Sequence, residues 1–153
     1  MRAVVQRVLR AAVRVDGRVV GEVGTGCLVL LGIGLDDDVD VAATLARRIA
    51  DLRMFADASG RTNLSISDIG GRALVVSQFT LYADLDHGRR PGFTGAAPAG
   101  PAETLYEAFC RELSARGVPV ERGAFGASME VELVNDGPFT LWLDVPGGSS
   151  SSS

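Results

Sequence analysis

Ser77-Gln78-Phe79-Thr80-Leu81 is the first of two segments whose residue types could do chemistry, and it follows the apolar run Ala73–Val76. Two hydroxyl groups and one amide at the end of a buried strand would place donors, acceptors and exposed backbone N–H groups at the rim of a sheet. Such groups can hold an ester carbonyl and stabilise an oxyanion. An ordinary polar end to a strand has the same spacing, and on spacing alone this structural interpretation is favoured.

The second segment is Asn135-Asp136-Gly137-Pro138-Phe139-Thr140, which lies between two predicted strands. Asn, Asp, Gly and Pro in succession are a strong turn signal, because these residues tolerate or preset the backbone angles of turns. A Gly–Pro peptide can also be cis at low cost, although few X–Pro peptides in folded proteins are. Taken alone, the segment predicts a hairpin turn.

The rest of the chain offers few catalytic side chains. His87 is the only histidine, and no cysteine or serine lies at a motif spacing from it, so we expect a solvated loop residue and not a general base. Cys27 and Cys110 lie in apolar runs outside any Cys/His cluster, which predicts two buried thiols and no disulfide. The three aspartates at 36–38 are explained as a helix N-cap. We therefore expect no metal and no cofactor.

The formal net charge is −4, and all 15 basic residues are arginine. A net negative charge argues against binding nucleic acid through bulk electrostatics. Arginine suits phosphate recognition, but a codon bias would give the same composition. No apolar run approaches the ~20 residues of a membrane span, and the first residues lack a signal-peptide core. We therefore predict a soluble, cytoplasmic protein that does not bind membranes.

The elements that would position the two segments are several strands and two main helices. Helical spacing of apolar residues predicts helices over 38–55 and from Pro101 to a stop at Gly117, with a long loop over 84–100. The expected fold is mixed α/β (α+β), a single domain over 1–146 with strand-rich mixed sheets. The low-complexity tail 147–153 is expected to be disordered. The predicted strands are Ala3–Val15, Val19–Val23, Cys27–Ile33, Ala73–Ser77, Val118–Glu121, Met129–Val134 and Phe139–Val145.

Taken together, the two segments resemble the D-aminoacyl-tRNA deacylases, the D-Tyr-tRNA deacylase family. That family carries an SQFTL-type motif and an NxGPxT-type motif, which stand here as Ser77–Leu81 and Asn135–Thr140 with no departure inside either. The resemblance implies the fold of that family and hydrolysis of the ester of D-aminoacyl-tRNA. It covers nearly the whole chain and also includes Val5-Gln6-Arg7-Val8, Leu28–Gly32, Arg90-Pro91-Gly92-Phe93 and Phe125–Met129.

The resemblance further implies a homodimer with its active sites at the subunit interface, and tRNA, not DNA, as the partner. The SQFTL-type motif would bind the aminoacylated 3′ end, and the Gly137-Pro138 peptide of the other subunit, held cis, would enter the pocket. Its carbonyl oxygens would form a rigid wall that an L side chain meets, whereas a D side chain points to open space. Selection is then steric rejection, and glycine, mischarged on tRNA-Ala, would also be admitted.

The catalytic roles rest on this resemblance and on the few catalytic side chains. We expect RNA-assisted hydrolysis, in which the vicinal ribose hydroxyl helps water and the backbone N–H groups of Phe79 and Thr80 stabilise the oxyanion. Ser77 and Gln78 would orient the substrate. A Thr80 nucleophile is the competing mechanism, and it lacks a visible base. A non-catalytic binder of the aminoacylated tRNA end and a generic small-ester hydrolase are the alternative functions.

Three more residues are assigned to substrate binding. Phe125 and Met129 are candidates for packing the terminal adenine, and core packing at i and i+4 explains them about equally well. Arg7 is expected to hydrogen-bond near the Gly-Pro segment and fix its orientation. Arg89 and Arg90 either contact phosphates or are solvated loop arginines.

Overall fold

A computed structural model describes residues 1–148 of the chain. Eight strands, two α-helices and one short 3₁₀ helix follow one another within this range. The helices are α1 (Val39–Asp51) and α2 (Ala99–Ala115), and the 3₁₀ helix is Phe79–Tyr82. The strands are β1 (Arg2–Val15), β2 (Arg18–Val23), β3 (Gly26–Gly32), β4 (Phe55–Ala56), β5 (Thr62–Leu64), β6 (Arg72–Ser77), β7 (Val120–Arg122) and β8 (Glu130–Asp144).

The long strand β1 organises the main sheet. It pairs antiparallel with β3 through Arg2–Val8 and with β2 through Ala11–Val15, while β8 runs antiparallel along its other edge. Asp16 and Gly17 have φ angles of 51° and 76° and form the turn between β1 and β2. Because β6 pairs parallel with β3 and β7 pairs parallel with β6, the sheet is mixed.

This sheet is buried on both faces, and its strands alternate between two apolar clusters. In β6, Ala73 and Val75 belong to the larger cluster, whereas Leu74 and Val76 belong to the smaller one. Successive side chains of a strand point to opposite faces, so the clusters lie on the two sides of β6. The buried residues of α1 and α2 that join a cluster all join the larger one, and this helix-covered face is the face toward which Ser77, two residues after Val75, points.

The helix α1 begins as predicted and ends earlier. Asp38 is its N-cap, with its carboxylate 2.9 Å from the N–H of Val41, so the acidic run is confirmed as a cap at this residue. The predicted end at residue 55 is wrong, because the helix ends at Asp51 and Phe55 starts β4. Met54 and Phe55 are both buried. Their apolar side chains do not mark a further helical turn, because Met54 directly precedes β4 and Phe55 begins the short β4–β5 hairpin, which was not predicted.

The predicted hairpin turn at Asn135–Thr140 is also wrong. The two segments predicted as separate strands form the single strand β8, and both halves pair antiparallel with the same strand β1. A hairpin would pair the two halves with each other. Turn chemistry in this segment therefore makes an insertion within one strand and does not reverse the chain.

The expected fold class, a single mixed α/β domain with a strand-rich sheet and two main helices, is confirmed. Pro101 lies in the first turn of α2, and Gly117 follows the helix with a φ of 86°, as predicted for its stop. Gly147 lies against the backbone of Asp36. The rest of the tail predicted to be disordered, 149–153, lies outside the described residues. Within residues 1–148 no helix combines the length and the apolar character that crossing a membrane requires.

Candidate active site

The strand β6 ends at Ser77, as predicted, and a 3₁₀ helix that was not predicted follows it. The N–H of Gln78 still donates to the carbonyl of Leu31 on β3, at 2.7 Å. Beyond it, the N–H groups of Leu81 and Ala83 donate to the carbonyls of Gln78 and Thr80. The first N–H groups of a helix have no partner within it. The N–H groups of Phe79 and Thr80 find no acceptor among residues 1–148, so two adjacent donors are free at the sheet rim.

The side chains around this 3₁₀ helix hold it in place. The amide of Gln78 donates to the hydroxyl of Thr80. From the other side, the guanidinium of Arg2 donates to the carbonyl of Leu81 at 2.9 Å and lies 4.4 Å from the centre of the Tyr82 ring. Burial, followed by the negative charge of Asp37, raises the pKa of the Tyr82 hydroxyl above its usual range. Tyr82 therefore stays protonated near neutral pH and is not a base for Thr80.

A cavity of about 310 Å³ opens beside Phe79, and Thr80, the next residue, does not line it. Ser77, Gln78 and Phe79 border it on one side, and Phe125 borders it on the other. The hydroxyl of Tyr106 in α2 donates to the carbonyl of Val75 at 2.7 Å, which ties this helix to the strand that ends at the cavity. Sequence reasoning missed the remaining lining residues, since their shared feature is small or apolar side chains brought together by packing. They are Leu31, Ile33, Ala97, Ala99, Ala102 and Gly126.

The Gly-Pro segment forms a bulge in β8, at its pairing with β1. Thr140 lies opposite Gln6, and Asn135 lies opposite Val8. Two residue steps along β1, from Gln6 to Val8, therefore correspond to five along β8. The β8 residues between Asn135 and Thr140 do not pair with β1. The Asn135 amide closes the base of this bulge, because it donates to the carbonyls of Arg7 and Phe139 at 2.9 Å each. The bulge, residues 135–139, presents Gly137 and Pro138 to solvent.

Arg7 fixes the bulge from below, as predicted. Its guanidinium donates to the carbonyls of Asp136 at 3.1 Å and Met54 at 2.6 Å, and it lies 3.1 Å from the Asp136 carboxylate. A longer contact of 3.4 Å reaches the carbonyl of Gly137, and the guanidinium stacks 4.3 Å from the centre of the Phe139 ring. The Gly137–Pro138 peptide is cis, as the resemblance implies.

The two regions do not meet within one chain. Ser77 is level with Leu31 on β3, whereas Arg7 is level with Cys27, four residues away along the same strand. The two regions are also three strand positions apart across the sheet, so at the usual rise and strand spacing the bulge and the end of β6 are on the order of 20 Å apart. None of Arg7, Gly137 and Pro138 lines the cavity.

The two candidates for packing adenine also separate. Phe125 lines the cavity and packs against Tyr106, with 5.9 Å between ring centres. Met129 packs instead against the smaller cluster on the other side of the sheet, and it does not line the cavity. The structure therefore brings Phe125, but not Met129, to the cavity at the end of β6.

The other reactive groups of the described chain lie away from this cavity. Burial raises the pKa of the Cys27 thiol to about 12 and that of Cys110 to about 11. Both thiols are buried and free, as expected, and stay protonated near neutral pH. His87 is 86% exposed and contacts Asp84 at 3.1 Å, which confirms a solvated loop residue. No three His, Cys, Asp or Glu side chains within residues 1–148 form a group that could hold a metal ion.

Comparison with known proteins matches residues 4–144 to the model of the D-Tyr-tRNA(Tyr) deacylase family. The D-aminoacyl-tRNA deacylase of Anaeromyxobacter dehalogenans is 58% identical over 144 residues, which cover 94% of this chain and 97% of the relative. That of Deinococcus radiodurans is 55% identical over 145 residues, covering 95% of this chain and all of the relative.

Solved structures of similar fold agree with this. The c-Myc DNA unwinding element binding protein is 41% identical, with a TM-score of 0.91 over 96% of this chain and 100% of that one. A probable eukaryotic D-amino acid tRNA deacylase, 19% identical, has a TM-score of 0.79 over 94% of this chain and 98% of that one, and it supports the fold alone.

The fold and the family match together define a hydrolase that acts on an ester bond. The chain belongs to the D-aminoacyl-tRNA deacylase family. The expected fold of this family and the expectation of an enzyme are confirmed. The homodimer, the cytoplasmic location, the exclusion of DNA and the role of each site residue stay predictions.

Proposed function

We propose that this protein hydrolyses the ester bond of D-aminoacyl-tRNA, releasing the free D-amino acid and tRNA. The observation that carries the proposal is the pair of adjacent free N–H groups of Phe79 and Thr80, of which Phe79 lines an apolar cavity of about 310 Å³. The pair suits the developing charge of an ester oxygen, and the cavity suits an adenine and an amino-acid side chain. Family membership supplies the substrate class.

The hydrolysis is RNA-assisted. The ester carbonyl oxygen accepts from the N–H groups of Phe79 and Thr80, water adds to the carbonyl carbon, and the 3′ oxygen of the ribose leaves with a proton. The neighbouring 2′-hydroxyl of the ribose relays the proton from water to that leaving oxygen. The Thr80 hydroxyl accepts from the Gln78 amide, which cannot take up a proton. This contact supports a positioning role for Thr80 and speaks against a nucleophile.

The enantiomer filter comes from a second copy of the chain. The bulge of β8 is exposed in the single chain and lies far from the cavity, and yet Arg7 and Asn135 hold its backbone with several hydrogen bonds. An exposed segment held so firmly suits contact with another molecule. In the proposed homodimer, Gly137 and Pro138 of one copy close the cavity of the other, over an interface of at least ~1,200 Å², and reject L side chains sterically.

The direct test is turnover on one tRNA that carries either the D or the L form of the same amino acid. Catalytic amounts of protein are expected to deacylate the D form through many turnovers and to leave the L form at its spontaneous rate. Glycyl-tRNA is expected to be cleaved as well, because glycine has no side chain to reject. Protection of the D form without turnover would instead establish the alternative function, a non-catalytic binder of the aminoacylated end.

The mechanism is tested by removing the 2′-hydroxyl of the terminal adenosine. Single-turnover hydrolysis of a D-aminoacyl-tRNA ending in 2′-deoxyadenosine is expected to slow by at least ~10²-fold while affinity changes little, since the hydroxyl acts mainly in the transition state. The Thr80→Ala variant serves as the matched comparison. It keeps the backbone N–H and is expected to lose less than tenfold. Equal rates for the two RNA ends would indicate that a protein side chain transfers the proton. Thr80 would then be the first candidate.

A further inference from the structure

Phe79 has a side chain that the oxyanion role does not use. Its ring is 57% exposed, and its centre lies 5.0 Å from the centre of the Phe93 ring at an interplanar angle of 71°. Phe93 is itself 37% exposed. Large aromatic rings exposed side by side are costly to leave in water. This pair therefore forms a small aromatic surface that begins where the cavity ends.

The loop that precedes Phe93 is fixed at both ends beside this surface. The N–H of Asp84 donates to the carbonyl of Gly92 at 2.6 Å, and the N–H of Gly92 donates back to the carbonyl of Asp84 at 3.0 Å. Asp84 follows the 3₁₀ helix by two residues, and Gly92 precedes Phe93. The loop 84–92 is thus a closed projection whose two ends are both attached to the candidate site.

Two arginines of the loop have free hydrogen-bonding capacity. Arg89 and Arg90 are exposed, and neither forms an ion pair with any side chain of residues 1–148. The loop also carries Asp84 and Asp86, but the Asp84 carboxylate already accepts from the N–H of Asp86 at 2.9 Å and contacts His87 at 3.1 Å. Arg89 and Arg90 are the cationic groups of this loop apart from His87, and the ligand that such guanidinium groups suit is an anion.

We propose that the Phe79–Phe93 pair and the arginines of loop 84–92 bind the single-stranded nucleotides that precede the terminal adenosine of the substrate RNA. Exposed aromatic rings next to unpaired arginines are the combination with which proteins hold single strands, since bases stack on the rings and phosphates pair with guanidinium groups. The surface is continuous with the cavity through Phe79, so RNA leaving the cavity crosses it. The inference rests on the proposed function for the identity of the RNA.

The consequence is that substitutions on this surface are expected to affect two substrates differently. A 3′-D-aminoacyl-adenosine fills the cavity but has no preceding phosphate or base, whereas the full D-aminoacyl-tRNA uses both surfaces. Phe93→Leu and the double variant Arg89→Gln/Arg90→Gln are each expected to lower kcat/KM on the tRNA at least tenfold, mainly through KM. On the adenosine ester their activity is expected to stay within twofold of the wild type. Arg18→Gln/Arg116→Gln, at two exposed arginines outside the loop, is the charge-matched control for the double variant and changes neither.

Binding is measured separately by fluorescence anisotropy with a four-nucleotide single-stranded RNA ending in adenosine. The wild type is expected to bind it at least tenfold more tightly than Phe93→Leu or the double arginine variant, and the salt dependence of the double variant is expected to be shallower. Binding without any hydrolysis of D-aminoacyl-tRNA would support this surface and refute the proposed function. Equal RNA binding by wild type and variants would overturn the proposal that this surface binds RNA, even if hydrolysis proceeds normally. Loss of dimer in the Phe93→Leu variant by light scattering would also overturn it, since the pair would then belong to the subunit interface.

Discussion

The end of β6 and the bulge of β8 differ in what surrounds their backbone. At the end of β6, the N–H groups of Phe79 and Thr80 are free and an apolar cavity lies beside them. In the bulge, Arg7 and Asn135 bind the carbonyls of the bulge and its flanks, and neither Gly137 nor Pro138 lines the cavity beside β6. The first region has free donors and can bind a ligand. The second has its carbonyls bound within the chain and presents a rigid outer surface.

This difference indicates how one active site can be divided between two regions. A region that binds an ester needs free donors and a cavity, and these cost stability when they are buried without a ligand. A region that rejects a side chain needs a backbone that does not yield, so its own hydrogen bonds must be satisfied. Each region meets one requirement only. We infer that the complete site needs both, and that the second copy of the chain brings the bulge to the cavity.

The largest effect is expected from removing a free donor at the end of β6. Phe79→Pro deletes one N–H at the first residue of the 3₁₀ helix, where that N–H donates to no acceptor among residues 1–148. The loss of one oxyanion donor costs about 10²–10³-fold in kcat. Phe79→Ala is the matched control, since it removes the same ring and keeps the N–H. Single-turnover rates on D-aminoacyl-adenosine are compared, and similar losses in both variants would show that the ring, not the donor, matters.

A smaller effect is expected from adding one methyl group to the bulge. A Cβ on Gly137 would meet only the Asn135 side chain, at an ordinary 3.5 Å, so Gly137→Ala is expected to keep its thermal stability. The methyl would nevertheless enter the partner's cavity and lower kcat/KM on D-aminoacyl-tRNA at least tenfold. Gly24→Ala, where a Cβ meets nothing within 4 Å, is the control. Full activity of Gly137→Ala would show that the bulge is not part of the active site.

The smallest effect on chemistry is expected from loosening the bulge. Arg7→Lys keeps the charge but loses the planar fork that reaches Asp136, Gly137 and Met54 together. Unfolding free energy is expected to fall by about 1–2 kcal/mol, and activity on the D substrate by only a few-fold. Hydrolysis of the L substrate is expected to rise above its spontaneous rate, because a looser wall rejects less. An unchanged ratio of D to L hydrolysis would contradict a filter that depends on a rigid bulge.

The sequence predicts the elements of each region better than their combination. The strand that ends at Ser77 follows from a run of apolar residues, and the cap at Asp38 follows from local hydrogen bonding. The bulge was mistaken for a hairpin turn because turn chemistry is local, whereas the pairing of both halves of β8 with β1 depends on residues more than a hundred positions away.

The cavity was the part of the site beyond prediction. Its lining includes Leu31, Ala97 and Ala102, which come from a strand, a loop and a helix and share no motif. Only packing brings them together. For Met129, a sequence spacing suggested a contact that the fold does not make. Its position four residues after Phe125 suggested a common role. The chain between them does not form a helix, and the two side chains pack against different clusters.

The division of one site between two chains can be measured by complementation. Two inactive chains, Phe79→Pro and Gly137→Val, are produced together with different affinity tags, and the mixed dimer is isolated through both tags. In a mixed dimer, one site combines both defects and the other combines the intact β6 end of one chain with the intact bulge of its partner. Deacylation of D-aminoacyl-tRNA by the mixed dimer is expected to reach about half the activity of the wild-type dimer, because one of two equivalent sites is restored. Activity no higher than that of either inactive homodimer would contradict the account, since each site would then be built within a single chain.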